Sequence, residues 1–567
     1  MPKLPLLAPD ETPIDAGREH NRGMAFAQAK LFERAIECFR RAAQIDPELF
    51  AAQANLGALL VDQGLVNEAM APLQAALRLR PDTPQIHNNL ANALTALGRL
   101  DEAAAHCRQS LELRPENAGA LTALGNVLKD QGLLDEAIEA YAKAALLRPD
   151  LSQPASNRLY VLHFHPEQNP NSILSAHLDW GRRWGEPLAV FHRPHGNDPD
   201  PERKLKIGYV SADFREHPVG RFILPLLENH DRERFAVFCY SNLPATDSTT
   251  AQIRAKSDAW RDIAQQTDEQ AAQTIRADGI DILVDLTMHM RASRLLVFAR
   301  KPAPVQATYL AYCSTTGLAA MDYRLSDPHL DPAGTDGFYV ERTVHLPQTY
   351  WCYQANGSAP AVNALPAASN GIITFACLNN FCKVTAPTLA LWAQLLRRIP
   401  NSRLILHTTP GTHCERVRSV LGVGEERLAF VGRAPMSDYF ARYHGIDIAL
   451  DPFPCAGGTT TCDALWMGVP VITLPAATAV SRSGASILSN IGRSEWIAHS
   501  AEDYLRIARE LCGDLQTLAE VRRSLRERMK GSVLMDASRF ARDVEYAYRG
   551  MWRTWCEEAK NTRGAGG

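Results

Sequence analysis

The chain has 567 residues, 46% of them hydrophobic and 22% charged, which is enough for roughly three or four domains that each bury a core. The formal net charge is -3 and the pI is near 6.6, so there is no global basic field of the kind that non-specific nucleic-acid binding uses, and nucleic acid is not an expected partner. Twelve cysteines are scattered with no C-x-x-C pair and no clustering with histidine, so they read as reduced packing residues, not as a zinc site or a disulfide framework.

The N-terminal stretch "MPKLPLLAPDETPIDAG" carries one lysine and an apolar run too short and too broken by proline for a signal peptide. No later segment offers the long apolar run of a membrane span, so the expected location is cytoplasmic. Repeats then dominate. Pro47, Pro81, Pro115 and Pro149 stand 34 residues apart, as do Gly64, Gly98 and Gly132, and Ala35, Ala69, Ala103 and Ala137. That period is the tetratricopeptide one. Within a unit, Leu56, Leu59, Leu60, Ala69, Leu73, Ala76 and Leu77 fall at helical spacing on two segments parted by Gly64, which predicts a helical hairpin. The small alanine lets the helices approach, and the closing proline stops the second one. Residues 14–150 are therefore expected to form a superhelical solenoid. Asn21, Asn55 and Asn89 recur at the same step on the first helices, and the series ends at Ala123. A ladder of amides can bond an extended polypeptide backbone; the same residues can equally do no more than solvate the groove.

Residues 151–203 lose the period and read as a helical linker, ending in the Pro/Asp-rich "HRPHGNDPDPERK". Strands then alternate with helices. "LKIGYVSADF", "FAVFCYSN", "IDILVDL", "VQATYLAY" and "YRLSDP" mark a first Rossmann-like half over 204–355, with a helix over Asp268 to Asp278. After the loose "QANGSAPAVNALPAASN", the runs "IITFACLNN", "SRLILHT", "RLAFVGR", "DIALDPF" and "VPVITLP" mark a second over 371–555. Two doubly wound α/β domains in tandem place the loops at their strand ends around a cleft.

One stretch in the second half asks for chemistry. In "PFPCAGGTTTCDALWMGVPVITLP", Gly457, Gly458 and three threonines precede a helix-like segment, the arrangement by which a helix N-terminus presents free N–H groups to an anion. Read alone, the same residues fit an ordinary turn whose threonine caps a core helix.

With "KIGYVSADFREHPVGRF", "PAPVQATYLAYCSTTGLAAMDYRLSDP", "FACLNNFCKVTAPTLALWAQLLRRIPNSRLIL", "CAGGTTTCDALWMGVPVITLP" and "SRSGASIL" in this order, the chain resembles the protein O-linked N-acetylglucosamine transferase family, bacterial branch, over nearly its whole length. The resemblance implies a GT-B type glycosyltransferase fold. It also implies an inverting transfer of N-acetylglucosamine from UDP-GlcNAc to Ser or Thr hydroxyls of a polypeptide lying along the repeat groove; the alternatives are a UDP-sugar transferase with another sugar or acceptor, and a repeat scaffold that binds a UDP-sugar with little turnover.

Carried over residue by residue, the resemblance places Lys383 on the donor diphosphate, where an ammonium suits a point contact. Thr459 and Thr460 complete that cradle, and Asp463 receives ribose hydroxyls. Ala434 offers its backbone to uracil, Tyr439 lies against the ring, and Asn380 reaches the nucleotide. His217, on the loop after the first strand, is the family's histidine at the donor–acceptor junction, either moving a proton or shaping the loop. His289, Thr316 and Gly317 are candidates for the sugar pocket, His289 being equally a packed strand-end residue and the pair equally a plain turn. The chain departs from the pattern of the animal members at Asn380, Met436, Tyr439 and Gly458, and Met288 stands where the family commonly has glycine. No cofactor or metal is expected. The nearest pair of carboxylates, Asp447 and Asp451, reads as strand-end residues shaping the loop before Gly457.

Overall fold

The computed structural model describes residues 15–243 and 245–564, with side chains described through 561; the N-terminal stretch read above for a leader lies, through residue 14, outside them. The chain divides into two compact units between Leu128 and Lys129.

The smaller unit is a run of antiparallel helices, Ala16–Gln28, Phe32–Ile45, Phe50–Asp62, Val66–Leu79, Pro84–Ala96 and Leu100–Leu113, followed by Ala118–Asp130, within which the division falls. The first is capped by the Asp15 carboxylate, which accepts from the Arg18 amide. Ala35, Ala69 and Ala103 are fully buried where paired helices touch, and Phe39, Leu60, Leu73, Leu90 and Leu94 fill the core between hairpins. Gly64 and Gly98 close their hairpins at φ 77, a left-handed turn that glycine adopts without steric cost. At the equivalent position of the first repeat stands Lys30, held at φ 59.

The larger unit begins at Lys129, passes the turn at Gly132 to the helix Leu134–Leu147, continues through helices Gln153–Leu162 and Pro170–Trp180, and reaches a seven-stranded sheet. Its strands are β1 (Leu205–Ser211), β2 (Phe235–Ser241), β3 (Ala259–Asp262), β4 (Ile282–Asp285), β5 (Val305–Thr308), β6 (Tyr323–Ser326) and β7 (Arg342–His345), all parallel, in the order β3-β2-β1-β4-β5-β6-β7. The central strands are buried along nearly their whole length, as a sheet covered on both faces requires. The helix Asp268–Asp278 starts on a capping box between Thr267 and Gln270 and stops at Gly279, φ 65.

A second parallel sheet holds β8 (Ile373–Cys377), β9 (Ser402–His407), β10 (Leu428–Val431), β11 (Ile448–Leu450) and β12 (Val471–Ile472), in the order β10-β9-β8-β11-β12. Strand order reverses direction between β1 and β4 and again between β8 and β11, so the loops after β1 and β8 open at the switch points where such sheets bind ligands.

The last helix, Ala537–Gly564, packs against the first sheet's half, not the second's: the Tyr548 hydroxyl meets that of Tyr209 at 3.3 Å, Glu545 accepts from the Asp231 amide, and the Trp552 indole donates to the Asp200 carbonyl. Among the described residues, no helix is long and apolar enough to cross a membrane.

Candidate active site

The loop after β8 turns once through Phe381–Lys383 and delivers the Lys383 ammonium to the Ala456 carbonyl, 2.7 Å away. Ala456 lies three residues before the helix Thr459–Trp466, whose N-cap is Gly458 and whose first turn has no side-chain cap. The Thr460 hydroxyl donates to Asn379 Oδ1 at 2.8 Å, and that of Thr461 to Asp451 at 3.1 Å. Burial pushes the Asp451 carboxyl up to about 6 against the pull of Lys383, Thr461 and Thr473. Burial pulls Lys383 down, but Cys455, Cys382 and Asp451 more than offset it and leave the ammonium above its ordinary value. The Cys382 thiol is itself pushed up to about 11, so at neutral pH the carboxylate is the charge that matters. Asp447 accepts from the amides of Ala367 and Thr374 and so ties the connector to β8; among the described residues no metal-binding group of His, Cys, Asp or Glu side chains forms.

This loop is also where the end of the repeats is seated. Arg416 donates to the Gln131 carbonyl at 2.6 Å, and a Cβ on Gly132 would stand 3.2 Å from the Phe381 ring. Opposite lies the loop after β1. His217 caps the helix Pro218–Asn229, its Nδ1 accepting from the Val219 amide at 3.3 Å, so the neutral ring carries its proton on Nε2 and presents a donor there. Burial lowers its pKa, and Asp213 partly opposes this.

One turn along that helix, Arg221 reaches the second half and grips Asp463 with both nitrogens, at 2.7 and 3.2 Å. Burial disfavours the guanidinium charge, and the Asp463 carboxylate outweighs it and holds Arg221 above its ordinary value. Tyr353 and Tyr439 also donate to Asp463, at 2.7 and 3.1 Å. The carboxylate expected to receive ribose is thus surrounded by four donors. Tyr439 turns its hydroxyl inward to Asp463 and Tyr443, with its ring edge-on to Phe440 and Tyr443. Ala434 lies in the loop before the helix Met436–Arg442, and Asn380 is exposed, so it is the neighbouring Asn379 that joins the threonine loop.

The sugar-pocket candidates lie together beside the linker helices. His289 is fully buried, bonded to Ser156 and to the Thr316 carbonyl, and packed edge-on against Trp180 and His177. Thr316 is fully buried and bound to Glu341; a Cβ on Gly317 would meet the His177 carbonyl at 2.2 Å. These three pack the linker helices against the sheet. Met288 beside them sits at φ 48, a conformation suited to glycine.

The groove asparagines form no open ladder: Asn55 Nδ2 meets His20 Nε2 at 2.9 Å, and Asn89 is buried and accepts from Gln85, while Asn21 is exposed. Arg221, Tyr353, Asn379 and Trp351 join this site without a local sequence signal that marks them. The Trp351 ring would stand 3.1 Å from a Cβ on Gly458, and its indole N–H is buried without a partner among the described residues. That ring fills the space a side chain at position 458 would take.

Two doubly wound sheets, bridged by Arg221 and Asp463, with a lysine and an uncapped helix start on one side and a histidine on the other, form the two-Rossmann build that many glycosyltransferases share. The chain belongs to glycosyl transferase family 41, whose model matches residues 188–357 and 361–544. Tetratricopeptide models match residues 20–49, 54–118 and 94–159. It is 37% identical over 421 residues to a probable UDP-N-acetylglucosamine-peptide N-acetylglucosaminyltransferase, SPINDLY, of Petunia hybrida, covering 72% of this chain and 45% of that one. It is 32% identical over 368 residues to the Arabidopsis thaliana protein SEC, of the same printed activity, covering 62% and 38%. The chain spans less than half the length of these curated relatives. A mutant O-GlcNAc transferase of Thermobaculum terrenum superposes with a TM-score of 0.85 at 37% identity, covering 90% of this chain and 99% of that one.

Proposed function

We propose that the chain is an inverting glycosyltransferase that moves N-acetylglucosamine from UDP-GlcNAc to Ser or Thr hydroxyls of polypeptides in the cytoplasm. The observation that carries the reading is the convergence of the Lys383 ammonium on the carbonyl just ahead of the uncapped helix Thr459–Trp466. A diphosphate seated there takes the ammonium from Ala456 and meets the first amides of the helix, so the negative charge that grows on the leaving group is met by fixed donors. The acceptor hydroxyl oxygen bonds the anomeric carbon as the bond from that carbon to the diphosphate breaks, and the hydroxyl proton leaves with the departing diphosphate. His217, with its proton on Nε2, acts as a donor to an oxygen at the junction. Asp463 Oδ2 carries the longer pair of bonds, so a ribose hydroxyl would displace a donor from that oxygen. Ala434 and Tyr439 flank the base, and the repeats supply the polypeptide, as the names of the relatives support.

Transfer of a different sugar is the second reading, on the ground that buried Met288 stands where the family commonly has glycine.

Calorimetric titration with UDP-GlcNAc, UDP and a panel of other nucleotide sugars, with and without magnesium, followed by mass spectrometry of peptide products, tests both. Metal-independent binding with an N-acetylhexosamine mass shift on Ser or Thr is expected, and Lys383→Ala should weaken UDP binding by ~10-fold or more. Product from another donor alone selects the second reading. Unchanged UDP affinity in Lys383→Ala removes the cradle, and binding without product leaves a repeat scaffold that holds a nucleotide sugar.

A further inference from the structure

Arg221 is the one cation of the first half that the described contacts send into the second half's nucleotide side. Its backbone amide donates to the His217 carbonyl at 3.0 Å, so it stands one turn beyond the cleft histidine on a rigid helix. Its guanidinium, with the side chain only 12% exposed, meets an Asp463 carboxylate that is 2% exposed. Asp463 belongs to the helix whose first turn is the diphosphate cradle. On the same oxygen, Oδ1, the Tyr353 hydroxyl arrives at 2.7 Å from the connector between the halves. One carboxylate oxygen therefore joins the histidine helix, the cradle helix and the connector. Its two bonds, both 2.7 Å, are shorter than the pair on Oδ2. A bidentate, desolvated pair fixes angle as well as distance, which a point charge does not.

We propose that Arg221 is a positioning residue for glycosyl transfer: through its forked pair with Asp463 it fixes the separation and angle between the His217 helix and the diphosphate cradle. This rests on the transferase reading given above. Arg221 touches no substrate in this arrangement. Its work is to make the acceptor side and the donor side of the cleft one rigid frame, so that the histidine and the leaving diphosphate meet in register.

The consequence is a split between binding and turnover. Donor binding uses the second half alone, through Lys383 and the cradle helix, and should survive loss of the latch. Turnover uses both halves. Arg221→Met tests the idea directly but leaves a buried carboxylate without its cation and can unfold the chain. Arg221→Lys keeps the charge and loses only the fork, and is the variant to rely on.

For Arg221→Lys, UDP affinity by calorimetry is expected within ~3-fold of the parent, while kcat at saturating donor falls by ~10-fold or more. In the absence of any substrate, amide exchange should rise together in Pro218–Asn229 and Thr459–Trp466. That second readout needs no catalysis, so an inactive parent would sink the transferase reading while the latch was still judged by exchange. Parental kcat in Arg221→Lys, a loss of UDP affinity as large as the loss of kcat, or unchanged exchange in the two helices each overturns the proposal.

Discussion

His163 shows how a single side chain can work against the fold that holds it. Both its ring nitrogens are buried without a partner among the described residues, and the ring lies 5.5 Å from that of His177 and 4.8 Å from that of Tyr312. Burial first, then His177 and His289, hold its pKa well below the ordinary value. The folded state therefore keeps the ring neutral while the unfolded chain takes up a proton as pH falls through about 6.5. The stability that this residue contributes is present above that pH and is lost below it. Replacing it by phenylalanine removes the proton and the unpaired nitrogens together. His163→Phe should gain about 2 kcal/mol relative to the parent on going from pH 7 to pH 5, read from urea melts at the two values; a difference that does not change with pH would mean the ring is charged in the fold. At this scale the sequence made Lys383 and Thr460 legible, because both sit in a contiguous motif. Arg221 was not legible: its partner is 242 residues away, beyond any local pattern.

The elements were read more fully than their contacts, for a physical reason. The ten apolar strand runs became ten strands because buried parallel strands are apolar along their length. The two that escaped, β3 "AWRD" and β7 "RTVH", are the outer strands of the first sheet, four residues each and carrying charge, as sheet edges tend to be. The repeat turns were legible in the same way, with one exception that makes a prediction. Gly64 and Gly98 mark their turns, but the first repeat makes the same turn with Lys30 at φ 59. A left-handed lysine costs roughly 1–2 kcal/mol, and glycine returns part of that gain through its own flexibility. Lys30→Gly should therefore raise the stability of the repeat region by about 0.5–1 kcal/mol. Thermal melting followed by helical circular dichroism measures it, and an unchanged or lowered midpoint would show that the lysine side chain compensates for its backbone.

For the molecule as a whole, the repeat phase suggested an end to the solenoid at 150, whereas the packing divides the chain between Leu128 and Lys129. Periodicity records where a motif stops, and contacts record where a core stops. Within the larger unit Ile138 packs against the core that includes Leu159, Leu162 and Trp180, and Ala137 and Tyr141 are buried. Removal of residues 1–128 should leave the larger unit with one cooperative melt. Removal of 1–150 takes away the helix Leu134–Leu147 and should cost at least ~3 kcal/mol, the worth of two or more uncovered apolar side chains, visible as a lower urea midpoint. Equal midpoints would place the boundary where the repeats end. The cysteines carry a different kind of consequence. None of the twelve is in a disulfide, eleven are buried, and the half-buried Cys512 has its thiol pushed up to about 12 by burial. Thiolate is the reactive form, so the native set should react slowly with maleimides near neutral pH. A single cysteine introduced on each side of the cleft is thus the dominant target for a fluorophore in the unaltered background, and the distance between the catalytic halves becomes something that can be watched in solution.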